Sequence, residues 1–92
     1  MNRTETRVLV RRVAQHRDPQ AALSLYEHSI ASGHKRIALL RYMDARDLSV
    51  PMTQQHHAYA CAIASGLSDR EMEAVARQAL KRSRERQARC NQ

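Results

Sequence analysis

The chain has 92 residues and carries 16 basic against 9 acidic side chains, a formal charge of +7. That length holds one small core, and with no Phe or Trp and only two Gly and two Pro it excludes a turn-rich β fold and leaves Leu, Ile, Val, Met and Ala to build an all-α one. The charge favours polyanionic partners through Coulomb attraction and counterion release; an arginine-rich codon bias explains Arg in place of Lys but not the excess of base over acid.

Residues 3–16 are read as a first helix. Leu9, Val10, Val13 and Ala14 share one stripe, while Arg3, Arg7 and Arg11 recur every fourth residue on another. The alternation Thr4, Thr6, Val8, Val10 also permits a short strand, which would need a partner from elsewhere. Asp18 and Pro19 start a second helix, Asp18 as N-cap and Pro19 at the first position, where its missing donor costs nothing. Ala22, Leu25, Tyr26, Ser29 and Ile30 form its inner face, and Gly33 ends it. A third helix begins near Lys35. Ile37, Leu39, Leu40, Tyr42 and Met43 wrap most of its circumference, which marks it as the central element. Arg41 and Arg46 on the remaining stripe must reach solvent or pair with acids such as Asp44.

Ser49 to Pro51 break the chain, because the residue before a proline is driven out of the α region. A fourth helix aligns Met52, His56, Tyr59, Ala60 and Ile63 and stops at Gly66. Ser68 and Glu71 form a capping box for a fifth helix that is expected to bury Met72, Val75, Ala76, Ala79 and Leu80. Beyond Leu80 come Lys81, Arg82, Arg84, Arg86 and Arg89 with no sizeable apolar residue. Residues 1–80 therefore read as one helical domain and 81–92 as a basic helical extension or tail.

The octet Tyr26 to Gly33 returns 33 residues later as Tyr59 to Gly66, with Tyr, Ile, Ala, Ser and Gly in matching places. Each copy reads as two helical turns closed by a glycine able to adopt the left-handed C′ conformation. The expected architecture is thus a bundle of about five helices arranged as stacked hairpins. The spacing is similar to that of tetratricopeptide and pentatricopeptide repeats, without their tryptophan, glycine and proline signature positions. Segment 58–77 resembles the DNA-binding helix-turn-helix, with Gly66 as the turn glycine, Ala62 at the small position, and Cys61, Leu67, Met72 and Val75 at the apolar ones. It departs from that motif in the carboxylates Asp69, Glu71 and Glu73, which duplex phosphates would repel.

His56, His57 and Cys61 lie close in sequence, but His16, His28, His34 and Cys90 supply no second ligand pair of zinc-site spacing, so no metal and no cofactor is expected. There is no phosphate-cradling glycine loop and no nucleophile–base signature, and the chain is read as a non-enzyme. With no membrane-spanning run or signal pattern and only two cysteines, the default is a reducing cytoplasm.

The function expected is non-catalytic binding of nucleic acid by a small regulator, duplex DNA ahead of RNA, since RNA recognition usually needs aromatic platforms. The contact residues expected are Arg70, Arg77, Gln78, Lys81, Arg82, Arg84 and Arg86. Arg7 and Arg11 join them if the first helix packs beside the last. A homodimer is expected, and the alternative function is a helical adaptor or inhibitor that docks an acidic protein partner.

Overall fold

Four of the helices start at a side-chain cap. The computed structural model describes residues 1–90 and contains α1 (Arg3–His16), α2 (Pro19–Ser32), α3 (Lys35–Asp47), α4 (Gln54–Ser65) and α5 (Asp69–Cys90). Among the described residues there is no strand. The segment that could have been one lies in α1, whose first turn is fixed by the Glu5 amide donating to Asn2 Oδ1 at 2.8 Å. Asp18 Oδ1 accepts from the Ala21 amide at 3.1 Å, with Pro19 behind it at the first position. Ser68 and Glu71 exchange the two bonds of a capping box at 3.1 Å each. Thr53 and His56 form a second such box, with His56 Nδ1 accepting from the Thr53 amide at 3.0 Å.

The third helix is the hub. α3 packs against α2, α4 and α5, while α1 packs against α2 and α5. Ala38, Leu39, Leu40, Tyr42 and Ala45 of α3 are all buried. Leu39, Leu40 and Tyr42 meet Tyr26, Ala60, Ile63 and Val75 in the larger core cluster. Ala45 joins Val13, Ala21, Ala22 and Leu25 in the smaller one. Tyr26 is wholly buried, and its hydroxyl is satisfied by donating to the His56 carbonyl at 2.7 Å, which lets a large aromatic body sit inside without a stranded polar tip. Its ring lies 5.5 Å from that of Tyr42 in a tilted pair.

Several expected positions move once the helices are assembled. Ile37 is exposed, so α3 keeps one open edge. Of the five apolar residues expected to be buried on α5, Val75 is fully enclosed, Met72 and Ala79 are half-buried, and Ala76 and Leu80 face solvent, Leu80 at 52 %. The inward stripe runs through Val75, Ala79, Arg82 and Arg86, at steps of three and four residues, and Leu80 falls off it. Residues 81–90 continue α5, with Arg82, Ser83 and Arg86 bonded to α3, while Asn91 and Gln92 of the expected extension lie outside the described residues.

The two octets are not structural equivalents. Gly33 takes the left-handed conformation at φ 73°, whereas Gly66 stays right-handed at φ −88°. The first hairpin, α2–α3, is tightly packed, but α4 lies principally on α3 rather than on α5. Cys61 is exposed instead of buried. The helix-turn-helix likeness of 58–77 thus stops short of the mutual helix packing that motif uses.

Candidate nucleic-acid interface

The basic residues of α5 divide by helical period into an outward and an inward set. Arg70, Arg77, Lys81 and Arg84 are spaced seven, four and three residues apart, which puts them on one face, and all are exposed. Arg77 Nη2 donates to Glu73 Oε1 at 2.8 Å across one turn, a surface pair that solvent screens. The remaining first-turn acids, Asp69 and Glu71, are also exposed. The cap bonds from Ser68 hold the Glu71 carboxyl below its ordinary range.

Arg82 and Arg86 point the other way. Arg86 is only 4 % exposed, and its Nη1 donates to Asp44 Oδ1 and its Nη2 to Asp47 Oδ2, both at 2.7 Å. Arg82 Nη2 meets Asp44 Oδ2 at 2.6 Å, and Ser83 Oγ donates to Asp47 Oδ1 at 3.0 Å. Asp44 and Asp47 lie three apart on α3, and Arg82 and Arg86 four apart on α5, so the two helices present matching charges one turn long. Burial is the larger influence on Asp44 and holds its carboxyl above the ordinary range, against the pull of Arg82 and Arg86. Burial also opposes the charged form of Asp47, but bonds from Arg86 and Ser83 outweigh it and hold that carboxyl low. The guanidinium of Arg86 is penalised by burial, yet its bond to Asp47 and the charge of Asp44 raise its pKa above the usual arginine value.

This cluster corrects two of the expected contact residues. Arg86 is enclosed and committed to Asp44 and Asp47, so its charge is spent within the fold; Arg82 is half-buried and committed to Asp44. Asp44 accordingly pairs with neither Arg41 nor Arg46. Arg41 Nη1 donates instead to Ser29 Oγ at 2.9 Å and to the Leu25 carbonyl at 3.3 Å. Arg46 lies over the Tyr42 ring, 5.9 Å from its centre. Gln78 is exposed and borders both a groove between α1 and α5 and the outward face beside Arg77, Lys81 and Arg84. Arg7 and Arg11 are exposed on α1, which does pack beside α5.

Two histidines serve local geometry. His56 closes the α4 cap, and His57 Nδ1 lies 2.8 Å from Tyr42 Oη. Among the described residues no three His, Cys, Asp or Glu side chains gather to hold a metal ion, and no helix is long and apolar enough to cross a membrane. Comparison of the chain with protein-family models, with curated proteins and with solved structures gives no match.

Proposed function

We propose that this protein is a small regulator that binds nucleic acid without catalysing a reaction, duplex DNA in preference to RNA. It does so through the outward face of α5, with Arg7 and Arg11 of α1 as flanking contacts. The observation that carries this reading is the distribution of charge. The internal cluster joins two arginines to two aspartates and removes equal charge of each sign, so the surplus of +7 is carried by the rest of the chain. Arg70, Arg77, Lys81 and Arg84 present part of it as a stripe suited to a row of phosphates. DNA is preferred because Tyr26 and Tyr42 are buried and Tyr59 is half-buried, which leaves no fully exposed aromatic platform for stacking unpaired bases.

The test is a salt titration of duplex binding. Affinity should fall with a logarithmic slope near −0.9 per phosphate neutralised, and Arg77→Ala, Lys81→Ala and Arg84→Ala together should flatten it by about 2–3 units. All three side chains are exposed, so the variant keeps its fold. Arg82 is left intact because of its bond to Asp44. Absence of binding at low salt, or equal slopes for the two proteins, sinks this reading.

In that case the adaptor becomes the better account. It is favoured by Leu80, exposed between Arg77 and Arg84 on the same side of α5, an apolar anchor within a basic rim that suits an acidic amphipathic segment. A homodimer in the cytoplasm would double the phosphate contacts, and sedimentation as a monomer at micromolar concentration removes that element.

A further inference from the structure

The outer face of α1 is covered by no other helix. α1 packs against α2 and α5, and on that side Val13 is buried while Thr6 and Leu9 are half-buried. The opposite stripe carries Glu5, Val8 and Arg12, three and four residues apart. All three are exposed, Val8 at 44 %. Met1, Thr4, Val8 and Leu9 border a shallow apolar hollow beside Glu5. Among the described residues neither Glu5 nor Arg12 forms an ion pair. Arg3, Arg7 and Arg11 follow a neighbouring stripe and stay outside this one.

The order of charge along the stripe decides what can cover it. It runs acid, valine, base, with the acid three residues before Val8 and the base four after it. Two copies laid antiparallel about a two-fold axis beside Val8 set each Glu5 against the partner's Arg12 and pack the two valines together. Laid parallel, they would set Glu5 on Glu5 and Arg12 on Arg12, and like charges repel. We infer that this stripe is the contact between two copies of the chain, joined antiparallel through α1. The inference gives an interface to the homodimer of the proposed function and rests on that element. It does not rest on nucleic-acid binding, since it uses neither Arg77, Lys81 nor Arg84. One helix face is a narrower contact than a standard interface, so the association is weak and depends on concentration.

The test is sedimentation of the 92-residue chain over about 1–100 micromolar. Wild type should pass from monomer to dimer within that range. Glu5→Arg and Arg12→Glu, each alone, set like charges at both contacts and should weaken association about tenfold. Mixing the two variants in equal amounts sets opposite charges at both contacts, so a dimer of one chain of each kind should form. A chain carrying both reversals should likewise dimerise within about threefold of wild type. These side chains are exposed, and recovery in the mixture separates lost pairing from lost folding. Val8→Asp should abolish the dimer by placing a charge in its apolar centre. A wild type that stays monomeric throughout overturns the inference together with the homodimer, and leaves the face to a different protein. A dimer that persists unchanged in both single variants keeps the homodimer but overturns this interface. Failure of both the mixture and the doubly reversed chain to recover overturns it equally.

Discussion

Arg86 of α5 and Asp44 of α3 meet at 2.7 Å, 42 residues apart in the chain, with each side chain 4 % exposed. Arg82 takes the second oxygen of Asp44, so the carboxylate is held from both sides. A shift of α5 by one turn would bring only one of the two arginines to Asp44 and cost the buried carboxylate its second partner, which disfavours that register of the helix. Asp44→Ala should therefore destabilise the protein by about 3–5 kcal/mol, because Arg86 loses its enclosed partner. Urea unfolding measures this directly. A loss no greater than the 0–1 kcal/mol or so of a surface pair would mean that water reaches the cluster.

Leu40 and Leu80 look alike as core candidates in the sequence and differ in the fold. Leu40 is buried in the cluster around Tyr26, so Leu40→Ala should cost about 2–5 kcal/mol by leaving a cavity. Leu80 is 52 % exposed, and Leu80→Ala should stay within about 0.5 kcal/mol. Thermal or urea unfolding of the two variants side by side checks the register of α5.

The matching glycines of the two octets should respond in opposite directions to alanine. Gly33 sits at φ 73° with open space around it, so Gly33→Ala meets only backbone strain and should cost about 1–2 kcal/mol. Gly66 has φ −88° and its nearest Cβ neighbour would be the Ile63 carbonyl at an ordinary 3.5 Å. Gly66→Ala should stabilise by about 0.4–1 kcal/mol, by restricting the unfolded chain. Equal effects at both positions would contradict this assignment of their backbones.

Alkaline unfolding should report on Tyr26. Burial first, then the charges that Tyr42, Tyr59 and Cys61 acquire at high pH, push its phenol up from 10.0 to about 12. The fold thus favours the neutral phenol. Its contribution is complete below pH 10.0 and is lost as pH rises through about 12. Tyr26→Phe forfeits the bond to the His56 carbonyl at neutral pH, about 1 kcal/mol, but should show a shallower decline across that alkaline window. Denaturation midpoints measured against pH for both proteins decide it.

The helix limits were legible because their causes are local. Asp18 with Pro19, the glycine at 33, Pro51 and the Ser68–Glu71 box each act within four residues, and all the breaks fall at those places. Leu39, Leu40 and Tyr42 were recognisable as core from periodicity alone. The face of α5 was not, because it is set by a partner far away in the chain. A reading of near neighbours gives Asp44 to Arg41 or Arg46, and only the packing of α5 on α3 brings Arg82 and Arg86 to it. That same contact separates the inward arginines from Arg77, Lys81 and Arg84, which residue identity does not distinguish. The octet misleads about Gly66 because identical letters do not bring identical surroundings, and Cys61, placed among buried apolar positions by the helix-turn-helix likeness, is exposed.

Dissolved ions act unequally on the two sides of α5. Around Arg77, Lys81 and Arg84 they screen attraction beyond about 8–10 Å at ordinary ionic strength. The Asp44–Arg86 pair is shielded from them by its own enclosure and is weakened far less. Brine strong enough to strip a polyanion from the outer stripe should leave the helix seated on α3. On the proposed function, release and melting then occupy separate salt ranges, and the domain would let go of a charged surface again and again without loosening its frame.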